Sequence, residues 1–313
     1  MRVDLRHLRA RVVGSFLVLL FSCLPFSSSA GTIVRVSTTI GDFSIELLDD
    51  IAPVTVQNFL NYVNRNDYNG PYFHRVVDDF VAQGGAYRFE LFVGPIDVPT
   101  DPPIVNEFSV SNTRGTVAMA KFDGDPDSAT NQWYVNLSDN TNLDTLNGGF
   151  TVFGNVLGQG MVIVDAIDNQ PTLDLGFKAS EAPYVTAAYS TPLDFLYMNI
   201  EIVERLSAAP HVFEAASGLL ITSVDIDNGL ELLSMNFNTV PAAGDVIIQA
   251  NLESVIPRRG PVDGIATFST SDNRLRIPSL EVSSNGQAFL VSNVVFVLSN
   301  TSPVQFTLES YQQ

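Results

Sequence analysis

One guanidinium interrupts an apolar stretch in the first third of the chain. The stretch reads Tyr-Phe-His-Arg-Val-Val-Asp-Asp-Phe-Val-Ala-Gln-Gly-Gly over residues 72–85, and Arg75 is its cation. An unpaired buried charge is costly, so a charged side chain on an apolar strand is rarely without a task. The pattern predicts two short strands. If they pair side by side, Arg75, Phe80 and Gln83 line one shallow pocket that combines a cation, a ring and an amide.

Further motifs follow this stretch in order. They are Asn106-Glu107, Asn-Thr-Arg-Gly-Thr-Val-Ala-Met-Ala at 112–120, Asp-Ser-Ala-Thr-Asn-Gln-Trp-Tyr-Val-Asn at 127–136, Leu143-Asp144, Phe-Thr-Val-Phe-Gly at 150–154, and Gly160-Met161. Together they resemble the signature of the cyclophilin-type peptidyl-prolyl cis-trans isomerases. The sequence of residues 102–120 looks most like that of the bacterial periplasmic branch of the family.

The resemblance implies a reaction without a nucleophile, metal or cofactor, and we expect none. The amide C–N bond has partial double-bond character, with a rotation barrier of roughly 18–20 kcal/mol. At X-Pro bonds the two isomers lie within about 1 kcal/mol, yet they exchange over tens of seconds or more. A permanently charged guanidinium that donates to the prolyl nitrogen withdraws its lone pair from the carbonyl. The effect is selective for the twisted state, so it lowers the barrier.

The resemblance also assigns roles to residues. Arg75 is the expected catalytic donor, Phe80 lies beside it, and Gln83 orients Arg75 or holds the substrate carbonyl. The expected wall of the pocket for proline, here named the proline pocket, consists of Phe80, Val81, Tyr134, Leu143 and Phe150. Ala120 and Gln132 are expected along the peptide groove. The alternative for Arg75 is a surface ion pair with Asp78 or Asp79, and for each aromatic alone it is core packing.

Three positions depart from the family pattern. Val81 replaces the usual Met, Asn142 replaces Trp, and Phe150 replaces His after an insertion at 145–149. We expect activity to survive and binding of the family's cyclic peptide drug to weaken. Tyr134 in place of Phe adds a hydroxyl to the pocket floor.

Metal sites are not indicated by the sequence. The acidic run Asp-Gly-Asp-Pro-Asp at 123–127 resembles the start of a calcium loop, but Ser128 stands where that loop needs Gly and Tyr134 where it needs Glu. The chain has three histidines, of which His7 lies in the predicted signal, so neither a metal cluster nor a Ser-His-Asp set can be assembled.

Composition and charge limit the partners. The chain has 313 residues, 45% of them hydrophobic, so a folded core is expected. Its net charge is −18, and removal of the basic first 30 residues leaves about −21. Such a surface repels nucleic acids and anionic membranes. The simplest interpretation of this charge is an extracytoplasmic protein from a salty habitat, and the alternative is a specific cationic partner.

The first 30 residues have the pattern of a secretion signal. Four arginines precede an apolar run at 12–21, and Ser28-Ser29-Ala30 is a small-residue cleavage site. A lipoprotein signal ending at Cys23 is the alternative, although Phe21 is awkward there. Cys23 is the only cysteine, so the mature protein has no disulfide and no thiol nucleophile. We expect no membrane insertion after cleavage.

The elements that must position Arg75 are mostly short strands. Alternation predicts a hairpin around Gly41-Asp42, and helical spacing after Pro53 predicts the first helix. A second helix is predicted from Gly160 to Asp168, and residues 86–105 are predicted to form a long loop. A mainly β domain at 31–206 follows, in which many short antiparallel strands form a closed barrel capped by two helices. The resemblance implies that this barrel has eight strands.

Residues 207–313 are predicted to form a second, all-β domain. The segment 219–226 matches 275–282 at an offset of 56 residues, and Asn228-Gly229 and Asn285-Gly286 follow the two copies as turn signals. Two such repeats predict a small β-sandwich.

Two functions are therefore open. The first is a monomeric isomerase that assists the folding of exported proteins by acting on proline-containing unfolded or extended polypeptides. It would be periplasmic, with an extracellular or outer-membrane-associated location as alternatives. The second is a non-catalytic peptide-binding or surface-attachment protein that uses the same groove and the β-repeats. Arg75, Phe80 and Gln83 favour the enzyme.

Overall fold

The computed structural model describes residues 31–186, 188–242 and 244–312. The predicted secretion signal, residues 1–30, lies outside the described residues. Two sheets of eight strands dominate the described chain, together with two α-helices, which confirms the mainly β prediction. Neither helix in these ranges is long and apolar enough to cross a bilayer.

The first sheet closes around the core that supports Arg75. Its elements, with the short strand pairs outside it, are β1 (Ile33–Thr38), β2 (Asp42–Leu47), α1 (Pro53–Asn64), β3 (Arg75–Val77), β4 (Val81–Gly84), β5 (Tyr87–Glu90), β6 (Gly94–Asp97), β7 (Thr116–Met119), β8 (Trp133–Asn136), β9 (Val152–Val156), α2 (Gly160–Asp168), β10 (Thr172–Leu173), β11 (Ala182–Pro183) and β12 (Met198–Val203). The antiparallel order is β12-β1-β2-β9-β7-β8-β4-β3. Backbone hydrogen bonds of Gly70 and Pro71 to Met198, and of Phe73 to Leu196, join the two ends.

The first helix covers the core of this sheet. It begins at Pro53, whose fixed φ suits the first helical position. Val56, Phe59, Tyr62 and Val63 form its buried face and lie in the same apolar cluster as the sheet residues. The helix predicted from 160 to 168 is also present, as α2.

The loop predicted at 86–105 is partly wrong. Its first half is a hairpin in which Tyr87–Glu90 pairs with Gly94–Asp97. Pro95 within the second strand, and three further prolines at 99, 102 and 103, obscured the strand pattern. The turn uses Phe92 and Gly94, both with positive φ, and such a turn is readily overlooked when only Gly is expected there.

The second sheet is formed by the C-terminal residues. Its strands are β13 (Val212–Glu214), β14 (Leu219–Ile226), β15 (Glu231–Val240), β16 (Ile247–Pro257), β17 (Ala266–Ser269), β18 (Arg274–Ser284), β19 (Gln287–Thr301) and β20 (Val304–Gln312). The order is β13-β14-β15-β16-β20-β19-β18-β17, and β13 and β17 also pair in parallel with β18 and β14. Its all-β character is confirmed.

These pairings give one sheet that closes on itself around a single core, instead of the two separate layers expected of a sandwich. The reason is that each short strand pairs with the hairpin of the other repeat. β13, which precedes the β14–β15 hairpin, pairs with β18, and β17, which precedes the β18–β19 hairpin, pairs with β14. The tight turn expected at Asn285-Gly286 is present, with both residues at positive φ. The predicted boundary at 206–207 stays a prediction, because Gly31–Gln313 forms one compact unit.

A buried ion triad (Arg35, Asp42 and Arg258) joins the two sheets. Asp42 accepts from Arg35 Nη2 through Oδ2 and from Arg258 Nη1 through Oδ1, each at 2.6 Å. The three side chains are between 4% and 12% exposed. Burial alone would raise the pKa of Asp42, but the charges of Arg35 and Arg258 outweigh it and hold the pKa below 3.8. The triad therefore stabilises the fold at neutral pH and is lost as the pH falls through that depressed pKa.

We predict that Asp42→Asn lowers the free energy of unfolding by about 3 kcal/mol at pH 7, because it leaves two buried guanidinium groups without their anion. Urea unfolding measures this effect. Asp245→Asn, at an exposed aspartate, is the control and should change the midpoint little. Equal midpoints for the two variants would contradict a stabilising role of the triad.

Candidate functional site

A tight hairpin places Arg75 opposite Gln83. Strands β3 and β4 pair antiparallel with Arg75 directly across from Gln83, and the turn between them uses a positive φ at Asp79. Directly opposite residues in an antiparallel pair present their side chains on the same face. Strand β4 then pairs with β8, where Gln83 is opposite Tyr134. The sheet thus brings residues from three strands to one surface.

The guanidinium lies at the edge of this surface. Arg75 Nη1 donates to Gln83 Oε1 at 3.4 Å, and Gln83 Nε2 donates to Gln132 Oε1 at 2.8 Å. Arg75 Cζ lies 5.9 Å from the centroid of the Phe80 ring. The side chain of Arg75 is 35% exposed, so it reaches solvent at a cleft of about 250 Å³ that Ala120 and Gln132 also line.

The ion pair of Arg75 differs from the alternative considered in the sequence analysis, which was a pair with Asp78 or Asp79. Asp78 and Asp79 are exposed at the hairpin turn, whereas Glu181 Oε2 lies 3.2 Å from Arg75 Nε. A backbone hydrogen bond from Val76 N–H to Glu181 O brings that residue to β3. Sequence reasoning missed Glu181 because the segment after α2 has no periodic pattern that predicts its contact.

The residues predicted for the proline pocket form one apolar cluster. Val81, Tyr134 and Leu143 are buried in it, and Phe80, Ala120 and Phe150 pack against them. The rings of Tyr134 and Phe150 meet edge to face, with centroids 6.3 Å apart. The structure therefore brings together all the predicted site residues, although their individual roles stay predictions.

The extra hydroxyl of Tyr134 is tied to the wall behind the pocket. It donates to Asn112 Oδ1 at 3.0 Å. Asn112 is itself buried and donates to Asp144 Oδ1 at 3.0 Å, so this chain of bonds also anchors the turn that carries Leu143. Burial raises the pKa of Tyr134, which keeps the phenol neutral.

A lysine that sequence reasoning did not single out holds the insertion at 145–149. Lys121 Nζ donates to the carbonyls of Asn147 and Gly149, at 2.7 and 2.6 Å. It also lies 4.9 Å from the centroid of the Phe150 ring. A cation over an aromatic face is attracted by the ring quadrupole. Lys121 therefore fixes the wall residue that replaces the family's histidine.

Carboxylates with metal-like spacing occur elsewhere. Within the described ranges, Asp78, Asp79 and Asp168 bring oxygens within 4.8 Å of one another. The calcium-like run at 123–127 instead forms a turn, in which Asp125 accepts from the backbone N–H of Asp127. Asp127 in turn accepts from the backbone N–H of Asn106.

His74 precedes β3 and lines the same cleft as Arg75, Gln83 and Gln132. It is 5% exposed and packs edge to face on Tyr87, with ring centroids 5.0 Å apart. Burial lowers its pKa from 6.5 to about 4, although the Gln132 side chain opposes the shift. The imidazole is therefore neutral at physiological pH, and it does not act as a cation beside Arg75.

We predict that the His74 ring resonances stay constant between about pH 5.5 and 8, because the pKa is near 4. NMR titration measures this, with the resonances assigned by their loss in His74→Gln. The pKa of His74 is lower in the folded state than in the unfolded state. The free energy of unfolding therefore decreases as the pH falls from 6.5 towards 4. A midpoint near that of an exposed histidine would contradict the burial.

Comparisons with known proteins agree with this geometry. The profile of the family described as cyclophilin type peptidyl-prolyl cis-trans isomerase/CLD matches residues 33–186. A peptidyl-prolyl cis-trans isomerase of Acinetobacter baylyi is 42% identical over 151 residues, which are 47% of this chain and 77% of the relative. Peptidyl-prolyl cis-trans isomerase A of Dickeya dadantii is 38% identical over 155 residues, 48% of this chain and 78% of the relative.

A solved structure is also similar, the cyclophilin type isomerase of Cryptosporidium parvum in the presence of the dipeptide Ala-Pro. It is 23% identical with a TM-score of 0.41, and the match covers 54% of this chain and 98% of that one. The matched residues 33–186 include the hairpin of Arg75 and the apolar cluster beside it. The chain belongs to the cyclophilin-type peptidyl-prolyl cis-trans isomerase family.

Proposed function

We propose that this protein catalyses cis-trans isomerisation of X-Pro bonds in unfolded or extended polypeptides. The observation that carries the proposal is the position of Arg75, whose guanidinium stands at the rim of the apolar cluster that contains Val81, Tyr134 and Leu143. A proline ring is apolar and fits such a cluster, while its nitrogen lies at the edge of the ring. The same surface therefore offers an apolar site for the ring and a cation for the nitrogen.

The barrier falls because the donor favours the twisted amide. In the planar ground state the nitrogen lone pair is delocalised into the carbonyl, so it is a poor acceptor. In the twisted state the lone pair is localised, and Arg75 can donate to it. A preorganised donor in a site of low dielectric acts where charge develops and needs little reorganisation. Gln83 accepts a long hydrogen bond from Nη1, at 3.4 Å, and Gln83 itself donates to Gln132 at 2.8 Å.

The cellular role proposed with this activity is folding assistance to exported proteins. The signal pattern of residues 1–30 and the acidic charge of the remainder support export, with the periplasm as the expected compartment. Unfolded exported chains contain X-Pro bonds whose exchange is slow. A groove that holds a short extended segment suits such substrates.

We predict that Arg75→Ala lowers kcat/KM for an Ala-Pro peptide by about a hundredfold, the typical effect of removing one preorganised donor. A protease-coupled assay measures the rate. Arg65→Ala is the matched control, because it removes an exposed arginine that directly follows the last residue of α1. A wild-type rate equal to that of the uncatalysed peptide would overturn the proposed activity and leave a peptide-binding or surface-attachment module. Equal catalysed rates for wild type and Arg75→Ala would overturn the role of Arg75.

We also predict that Lys121→Met raises KM by about threefold with little change in kcat, because the wall at Phe150 loses a cation–ring contact. The same assay, run over a range of peptide concentrations, separates the two constants. Arg65→Met is the control, since Arg65 also lies over a ring, that of Tyr62, which does not line the cleft. An unchanged KM would mean that Phe150 is held by packing alone.

A further inference from the structure

Glu181 has a contact with the reacting group that neither the family motifs nor the comparisons assign. Within the described residues it makes the only ion pair of Arg75. We propose that Glu181 is a positioning residue for isomerisation, which holds the guanidinium in the orientation that donates to the prolyl nitrogen. This proposal rests on the proposed function above.

The backbone of Glu181 is fixed relative to the active strand. Val76 N–H donates to Glu181 O at 2.8 Å, and the next two residues form β11, which pairs with β10. The Tyr72 hydroxyl donates to Lys178 O at 2.9 Å and anchors the same segment from its other side. Ala182 is fully buried. The backbone that carries the Glu181 carboxylate is therefore held in place by a hydrogen bond to β3 itself.

The two anchors of the guanidinium act on different nitrogens. Glu181 Oε2 lies 3.2 Å from Nε, and Gln83 Oε1 accepts from Nη1 at 3.4 Å. A bond of 3.4 Å is too long to orient the group by itself. Together the two contacts restrain the position of the guanidinium, the contact at Nε acting as a close charge pair and the contact at Nη1 as a long hydrogen bond. Within the described ranges, Nη2 makes no hydrogen bond, so its N–H groups can donate to the substrate.

The effect of this contact is expected in the rate and not in the stability. A free arginine samples many rotamers, and a group that is oriented beforehand needs no further ordering at the transition state. Both side chains are more than a third exposed, and ion pairs of this kind contribute little to folding. The exposure also screens the carboxylate, so it orients the guanidinium without cancelling its charge.

The test compares two substitutions that differ in charge. Glu181→Gln keeps the size of the side chain and removes its charge, whereas Glu181→Lys reverses the charge. With an uncharged Ala-Pro peptide, we expect Gln to lower kcat by about fivefold at unchanged KM, the factor that corresponds to about 1 kcal/mol of an exposed ion pair. Lys should lower kcat further, and both thermal midpoints should stay at the wild-type value. Glu231→Gln, at an exposed glutamate on the second sheet, is the matched control.

Salt separates positioning by charge from a merely structural role. At about 1 M NaCl the Debye length is about 3 Å, so an exposed ion pair is largely screened. The wild-type kcat should then fall towards that of Glu181→Gln, while the kcat of Glu181→Gln itself stays constant. Exchange NMR on the peptide measures these rates without a coupling protease, whose own activity would depend on salt.

Three results would overturn the proposal. They are a wild-type kcat in Glu181→Gln, equal losses in the Gln and Lys variants with a raised KM, and a wild-type rate that does not respond to salt. The proposed function has a separate readout, because it fails only if the wild type does not exceed the uncatalysed rate of the peptide. An active wild type with an inactive Arg75→Ala and an indifferent Glu181 would thus reject the positioning role alone.

Discussion

A guanidinium that is charged at every accessible pH must stand beside an apolar pocket without being buried in it. This constraint governs the isomerase half of the protein. Full burial of Arg75 would cost more free energy than a fold of ordinary stability can supply, while full exposure would remove the low dielectric that makes its hydrogen bond strong. The structure meets both demands, because one side of the group faces the cleft and the other contacts Gln83 and Glu181.

The ion triad between the two sheets meets the same difficulty in another way. Arg35 and Arg258 are almost completely buried, and one carboxylate, Asp42, accepts from both of them. A buried cation that needs only to hold two sheets together can have its anion permanently. The partner of Arg75, by contrast, lies at Nε and is itself exposed. This arrangement is compatible with the donor role proposed for Arg75, because it leaves part of the guanidinium facing the cleft.

Much of the site could be predicted from local patterns. Alternation and turn signals around residues 72–85 predict two short strands, and a hairpin of that length places Arg75 opposite Gln83 without any distant contact. The apolar side chains of the proline pocket could be named because their motifs resemble those of a family. The contacts of Tyr134 with Asn112 and of Lys121 with the insertion could not be predicted, since each depends on where another segment comes to lie.

The sequence by itself determined most of the element types, the two helices, the turn at Asn285-Gly286 and the pairing of Arg75 with Gln83 across a hairpin, because these depend on residues within one turn or one hairpin of each other. Only the tertiary structure decided that Glu181 pairs with Arg75, that Asp42 binds two arginines from different sheets, and that β13 and β17 close the second sheet. Those contacts join segments with no periodic relation in the chain. Their free energy is set by which strands meet and what they bury, and a pattern of single residues does not contain that information.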